Sequence, residues 1–453
     1  MPLSPVREIT SVPVAPIQVV KRSRSESVFP TLVQGVNLAF PGTATQHATH
    51  SLHTYVAAIN PPLAATLIEH YTRKGELILD PFCGGGGVLV EAALHGRRAI
   101  GCDINPLAVL MSRAKTTHIP SAQALKCYVR VDEEAHALAK YASVIDVPEV
   151  IRFWYLDETL APLRALQSVI AKIDGEKLRD LFLTVLSATA RDVMLTYRGE
   201  VRLRRLRDAE LERFRPNVFA AFKRRALSAI QNVAGLPRDN DITVRLLDAR
   251  KLGSAERCNT VITSPPYGDD KNGIGYFQFS RNMLYWIGIS LEDQKRQKAS
   301  FLGSCTPHTG ESLLASATLK HTVEIIRERS ANHYREALSF YADYYEALCS
   351  ITARTDERVI IVIGDRVLSR TRIHNEHITT EFLNALGWPL EHYYTRELTK
   401  KRIANLGGDG GGISTEHILI YRRASAKRLR KDCHAATISL TSTSGCSSVN
   451  GNE

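Results

Sequence analysis

Glu76-Leu77-Ile78-Leu79-Asp80-Pro81-Phe82-Cys83-Gly84-Gly85-Gly86-Gly87-Val88-Leu89-Val90-Glu91-Ala92-Ala93-Leu94 is the stretch that decides the fold of this chain. An apolar run closed by an acid, then four glycines, then an apolar helical stretch read as strand, turn and helix in succession. The glycines allow backbone N–H groups and the N-terminus of the following helix to approach a ligand without Cβ atoms in the way. Arg98-Ala99-Ile100-Gly101-Cys102-Asp103 reads as a second strand closed by a second acid. A doubly wound fold places a carboxylate at that point to accept ribose hydroxyls. Asp80 and Asp103 together therefore point to an adenosine-containing ligand.

Working outward, Ile242–Leu247, Thr260–Thr263 and Arg358–Ile363 read as further buried strands, and His417–Tyr421 as a terminal one. Short apolar runs alternating with helical patterns predict an α/β fold with a mainly parallel, doubly wound, Rossmann-like sheet. The intervals at about 116–240 and about 268–357 exceed ordinary loop lengths, so both must be folded insertions. The first is helical in pattern, with Leu181–Leu186 and Phe219–Leu227 as its clearest apolar stretches.

At 453 residues the chain is long enough for one elaborated catalytic domain. Its 58 Lys and Arg against 47 Asp and Glu give a net charge of +11, which favours a polyanionic partner or, more plainly, a solvated basic surface. The eight cysteines form no Cys-x-x-Cys pair, so neither a zinc ribbon nor a disulfide framework is indicated and a reducing cytoplasm fits. No apolar run approaches the roughly 18 residues that span a bilayer, and the start lacks the apolar core of a secretory signal. Residues 1–45 and 424–453 have the composition of disordered tails, with basic clusters at Lys21-Arg22-Ser23-Arg24 and Lys427-Arg428-Leu429-Arg430-Lys431.

The glycine turn has competing chemical readings. A phosphate-binding P-loop needs Gly-Lys-Ser/Thr, and Val88-Leu89 follow instead. A dinucleotide fingerprint needs a third glycine near position 89 and does not ordinarily open with an acid. Asp80 is better suited to a cationic, amine-bearing ligand such as S-adenosylmethionine. A tight turn without a chemical role is the remaining alternative.

Thr263-Ser264-Pro265-Pro266-Tyr267 is the second chemical segment. Two prolines hold the chain extended, so the Ser264 side chain and the Pro265 carbonyl can act as paired acceptors, which suits an exocyclic NH2 group. Tyr267 would offer an aromatic face to a planar base. An amine attacking a methyl electrophile develops positive charge that aligned acceptors stabilise, and it needs no strong base because it becomes acidic only once alkylated. In isolation Ser-Pro-Pro-Tyr would be a polyproline turn, but its place after a core strand favours a ligand site.

Arg198, Arg202, Arg204, Arg205 and Arg207 lie near Tyr197, Phe214 and Phe219, a pattern suited to phosphate and base contacts. Glu200, Asp208, Glu210 and Glu212 keep a salt-bridged solvent face as the alternative. His47, His50 and His53 have the spacing of metal ligands, but no acid or Cys cluster in the sequence matches them and no metal is expected.

These residues resemble the S-adenosylmethionine-dependent DNA amino-methyltransferases of prokaryotic modification systems, the type with a Thr-Ser-Pro-Pro-Tyr motif. Asp80-Pro81-Phe82-x-Gly84 is similar to their cofactor motif, Asp103 to their ribose acid and Asp248 to the acid near the cofactor adenine. Gly86 and Ile104 fall in the same cofactor-binding set. His50-Ser51-Leu52-His53-x-Tyr55 with Asn60-Pro61-Pro62-Leu63 resembles the segment that packs over the methionine end. Tyr276-x-Gln278-Phe279-Ser280-Arg281, Lys400-Lys401-Arg402 and Glu416-His417-Ile418-Leu419 extend the likeness to about residues 47–423.

The resemblance implies a class I methyltransferase fold over residues 46–423, S-adenosylmethionine as cofactor, and duplex DNA as substrate, with a flipped base as acceptor. Ser264 matches the form common in N4-cytosine enzymes, so cytosine N4 is the first expectation and adenine N6 the second. Pro265-Pro266-Tyr267-Gly268 also resembles RNA enzymes such as those modifying a tRNA guanine, although those usually carry Asp before the prolines. A cognate restriction endonuclease on a separate chain, a cytoplasmic and nucleoid-associated location and no membrane partner are further implications. Two departures from the family pattern are Gly86-Gly87 in place of a Ser/Thr-containing turn and Val56-Ala57-Ala58 in place of Pro-Ala-Lys.

Overall fold

The computed structural model describes residues 38, 40, 43–56, 58–197, 203–253, 256–268, 276–304, 314–398 and 415–424. Arg198, Arg202, Lys400-Lys401-Arg402 and both basic terminal clusters lie outside them.

The strands are β1 (Leu77–Asp80), β2 (Arg98–Asp103), β3 (Ile242–Leu246), β4 (Cys258–Thr263), β5 (Thr355–Gly364), β6 (Arg366–Leu368), β7 (Thr371–Ile373), β8 (Leu390–Glu397) and β9 (Thr415–Arg422). β6 and β7 form a small hairpin, and the other seven make one sheet in the order β3-β2-β1-β4-β5-β9-β8. The first five pair in parallel. β9 runs antiparallel between β5 and β8.

The central strands are apolar because both faces of the sheet are covered. Leu77, Leu79, Val261, Val359 and Ile361 enter one core, whereas Ile78, Ile262, Ile360 and Val362 enter the other. Helices α1 (Pro61–Tyr71), α2 (Gly87–Leu94) and α3 (Pro106–Thr116) lie early in the chain. The first two and Val109 of the third build the core that holds Ile78. Asn105 starts α3 by accepting the Leu107 N–H at 3.1 Å, with Pro106 at the first helical position.

Between β2 and β3 the chain forms α4 (Ser121–Ala139), α5 (Glu149–Arg152), α6 (Asp157–Ile170), α7 (Glu176–Asp192), α8 (Asp208–Arg213) and α9 (Val218–Ala234). Leu160, Leu166, Phe182, Leu186, Phe222 and Ile230 belong to a hydrophobic core separate from those of the sheet, with Tyr128 stacked on Phe222 at 6.3 Å. Between β4 and β5 follow α10 (Tyr276–Trp286), α11 (Leu291–Lys298), α12 (Ala317–Arg329) and α13 (Ala331–Ala353). Trp286 at the end of α10 is inserted into the helical core. α12, α13 and α14 (Asn375–Ala385) cover the sheet face that holds Leu79.

The five inner strands fall where the sequence patterns place them, to within a few residues. β8 was not read from sequence, because Leu390-Glu391-His392-Tyr393-Tyr394-Thr395-Arg396-Glu397 is a polar, half-exposed strand whose place depends on pairing with β9. Among the described residues no helix is long and apolar enough to cross a membrane.

Phe222 is fully buried at the junction of α4, α7 and α9. Phe222→Ala should therefore cost about 3–5 kcal/mol of stability, seen as a lower urea midpoint by far-UV circular dichroism. An unchanged midpoint would show that these helices do not depend on a common core.

Candidate active site

The sheet order reverses between β1 and β4, the kind of switch point at which open α/β sheets bind ligands. The pairing Ile78↔Thr260 and Leu79↔Val261 brings the ends of both strands together. Asp80 Oδ1 accepts a hydrogen bond from Thr263 Oγ1 at 2.7 Å, so the acid of the glycine turn is tied to the residue before Ser264. A cavity of about 760 Å³ opens at this junction. Tyr55, Asp80, Pro81, Phe82, Gly84, Asp103, Ile104 and Asp248 border it from the N-terminal segment and the ends of β1, β2 and β3, and Ser264, Pro266 and Gly268 from the end of β4.

Backbone and side chains shape the glycine-turn side together. Asp103 Oδ2 accepts the Gly84 N–H at 2.9 Å and Oδ1 accepts the Asn105 N–H at 2.8 Å. Gly84 has φ 48° and a Cβ there would lie 3.0 Å from the Tyr55 ring, so any side chain would strain the turn and push the tyrosine. Asn105 Nδ2 donates to Tyr55 Oη at 3.1 Å and to Ser280 Oγ at 2.8 Å, joining the N-terminal segment to α10. Gly86 lies at the start of α2, outside the cavity lining, with its N–H on the Cys83 carbonyl at 2.8 Å. Asp248 receives the Arg250 guanidinium, with Nη2 to Oδ2 at 2.7 Å, and Arg250 also reaches Asp343 at 2.9 Å. The acid is thus fixed in orientation beside Leu247, Phe301 and Leu302 in the cavity wall.

At the end of β4, Ser264 Oγ lies 3.4 Å from Tyr267 Oη, which donates to Glu416 Oε1 at 3.2 Å. Tyr267 is only 4% exposed and, like the buried Pro265, is not part of the cavity wall. Phe340 from α13 is an aromatic ring of the cavity wall beside Gly268, with Glu336 one turn before it. A Cβ on Gly268 would lie 2.9 Å from the Phe340 ring and 2.8 Å from Arg366 Nη1, a closeness only glycine permits. Arg366 is buried and paired with Glu336.

The electrostatics of the two acids differ from those of surface carboxylates. Desolvation raises Asp80 to about 7 against the opposing hydrogen bonds from Thr263 and the Phe82 N–H, and the neighbouring Asp103 adds to the rise. Asp103 rises to about 6 by desolvation, opposed by the N–H groups of Asn105, Gly84 and Ile104. The folded chain therefore binds more protons than the unfolded one between about pH 4 and the folded midpoints, so these groups favour folding at low pH and lose that contribution as pH rises through 6 to 7.

Sequence reasoning missed Asn105, Lys298, Glu336 and Phe340, all in the cavity wall, where Gln278 of the Tyr276–Arg281 motif also lies. Asn105-Pro106 after Asp103 was a legible helix start. Glu336 and Phe340 are ordinary residues of an amphipathic helix and reach the site only through packing. Of the arginines, Arg204 borders the cavity, its guanidinium 4.2 Å from the Tyr197 ring centroid. Arg205 turns away, donating to the Phe153 carbonyl at 3.0 Å, and Arg207 is exposed just before α8. The histidines gain an acid that the sequence did not reveal, since His47 Nε2 and His50 Nε2 each lie 2.7 Å from Glu91 Oε1 on α2. His53 goes instead to Ser187 Oγ at 3.0 Å.

Residues 26–113 match the family model described as DNA methylase. The Type II methyltransferase M.MvaI of Kocuria varians is 27% identical over 429 residues, 85% of this chain and 93% of that protein. Over most of its length the chain is similar to a Type II DNA methyltransferase, and its N-terminal part to the DNA methylase family model. Shorter stretches match two other proteins. One is the Type II methyltransferase M.MjaII of Methanocaldococcus jannaschii, 34% identical over 71 residues, 16% of this chain and 13% of the relative. The other is the tRNA (guanine(10)-N2)-dimethyltransferase of Methanothermobacter thermautotrophicus, 40% identical over 65 residues, 14% of this chain and 19% of the relative.

The donor set of the cavity fits S-adenosylmethionine. With that cofactor bound, Asp103 would offer carboxylate oxygens to the ribose hydroxyls, Asp80 an acid to the cationic end, and Tyr55 and Phe82 apolar surface. The cavity volume lies within the roughly 300–1,000 Å³ of small-molecule sites. Binding of a cationic ligand should draw the proton off Asp80. Calorimetric affinity for S-adenosylmethionine should then weaken on acidification from about pH 8 to pH 5.5, by up to roughly tenfold per pH unit below a carboxyl midpoint. Asp103→Asn should bind more weakly and with a shallower profile, whereas a flat wild-type profile would show that neither acid ionises on binding.

Proposed function

We propose that this chain transfers a methyl group from S-adenosylmethionine to the exocyclic N4 amine of cytosine in duplex DNA, after the base has been rotated out of the stack. The observation that carries this reading is the single cavity bordered by Asp80, Asp103 and Ser264, with its strand ends joined by the Thr263–Asp80 hydrogen bond. When bound, the cofactor supplies an electrophilic methyl group on a sulfonium.

The chain's own residues would then work as follows. Asp103 and Asp248 hold the adenosine end, with Gly84 giving the backbone its close approach. Ser264 Oγ accepts an amine hydrogen and stabilises the positive charge that grows on nitrogen. Phe340 offers a ring face to the base, and Tyr267 backs Ser264 through its hydroxyl. The closed helical core between β2 and β3 carries Arg204 to the cavity rim, where it can meet the phosphate backbone. Residues 46–423 form the catalytic domain in this reading, with 116–240 as the DNA-contacting insertion and the family's nuclease partner on a separate chain.

Cytosine is favoured over adenine by Ser264 in place of the Asp or Asn more usual in N6-adenine enzymes. Adenine N6 is the second reading, and a tRNA substrate a third, supported by the short match to a tRNA dimethyltransferase. Expression in a methylation-free host followed by mass spectrometry of DNA nucleosides should show N4-methylcytosine. N6-methyladenine alone would reverse the base assignment, and methylation confined to RNA would overturn the DNA reading.

Ser264→Ala should lower turnover by about 10²–10³-fold, as for loss of one charge-stabilising partner, with cofactor affinity retained. Tyr267→Phe should keep more activity than Tyr267→Ala, measured by methyl incorporation. Equal loss in both would place the whole role of Tyr267 in its hydroxyl.

A further inference from the structure

The side chains of Asp365, Glu376 and His417 converge behind the acceptor loop, from the end of β5, the start of α14 and β9. They are 9%, 5% and 5% exposed. Asp365 Oδ1, Glu376 Oε2 and His417 Nε2 are all buried, and none has a hydrogen-bond partner among the described residues. His417 Nε2 lies 3.4 Å from Asp365 Oδ1 and 3.8 Å from Glu376 Oε2, and the three atoms fall within 4.8 Å of one another. Three orphaned polar atoms facing one point would be costly to bury unless something joined them.

The opposite atom of each group is already engaged. Asp365 Oδ2 accepts from Arg372 Nε at 2.7 Å. Glu376 Oε1 lies 3.2 Å from His374 Nδ1 and 3.6 Å from His377 Nε2. His417 Nδ1 lies 2.8 Å from Tyr393 Oη, so an Nδ1–H donated to that oxygen leaves the Nε2 lone pair aimed at the common point. Outer partners that fix ligand orientation in this way are characteristic of metal centres. Bonds of about 2.1 Å in tetrahedral array separate their ligands by roughly 3.4 Å, close to the spacing found.

We propose that Asp365, Glu376 and His417 bind one divalent cation of the zinc or manganese class, the class that two carboxylates and one imidazole suit. The site is structural and independent of the methyl-transfer reading. Asn375, the neighbour of Glu376, donates Nδ2 to the carbonyls of Tyr267 at 3.2 Å and Gly364 at 2.8 Å. An ion held by Glu376 and Asp365 would therefore fix the shelf on which the Ser264–Tyr267 loop rests.

The test uses the untagged full chain, stripped with EDTA and titrated separately with Zn²⁺ and Mn²⁺ by calorimetry and thermal melting. One equivalent of one ion should bind at micromolar or lower Kd and raise the melting temperature by several degrees. Glu376→Gln and Asp365→Asn, each checked for native circular dichroism, should lose at least tenfold in affinity. His50→Gln should keep it, because His47, His50 and Glu91 form a separate group of potential ligands. No stoichiometric binding of either ion to the wild-type chain would overturn the proposal. So would binding that survives Glu376→Gln but is lost in His50→Gln. A Glu376→Gln chain more stable than the stripped wild type, with no ion bound by either, would show that a shared proton joins the carboxyls instead.

Discussion

Parallel pairing of β1 with β4 is the constraint on which the rest of this structure depends. Residues 80 and 263 are far apart in the chain, and only that pairing puts Asp80 within 2.7 Å of Thr263 Oγ1. Each strand end alone is an acid beside a glycine turn or a serine beside two prolines. Joined at the reversal of strand order, they border one cavity. The hydrogen bond also couples their electrostatics, because it is one of the few groups opposing the desolvation that raises Asp80.

The elements around this junction restrict its geometry from three sides. Tyr55 is held over the glycine turn by Asn105, which also reaches Ser280 on α10. Trp286 at the far end of α10 sits in the helical core between β2 and β3. The glycine turn, the N-terminal segment and the helical insertion are therefore mechanically connected through one helix. On the acceptor side, α13 leans on Gly268 so closely that a methyl group there would meet Phe340 and Arg366.

Much of this was legible in the sequence, for a physical reason. Doubly covered strands need long apolar runs, and turns that approach a ligand need glycine, so β1, β2, β4, β5 and the Asp80–Gly87 turn declare themselves locally. The donor acids follow from position at strand ends. The acceptor wall does not, because Glu336 and Phe340 are placed by helix packing rather than by a motif. Tyr267 shows the same limit from the other direction. Its type suggested a stacking face, whereas the cavity wall holds Phe340, a ring just as buried, and not Tyr267. β8 escaped notice because its tyrosines and charges are stabilised by one neighbouring strand and not by a local pattern. Glu91 escaped because a helical glutamate reads as solvent-facing until the fold sets two histidines on it.

The central claim is that a single cavity seats the methyl donor at the Asp80–Asp103 end with its reactive centre turned toward Ser264. A crystal structure with S-adenosylhomocysteine measures this most directly. The ribose hydroxyls should lie on Asp103, the adenine beside Asp248 and the sulfur facing Ser264 and Pro266. Ligand density outside this cavity, or a sulfur turned away from Ser264 with the ribose off Asp103, would contradict it.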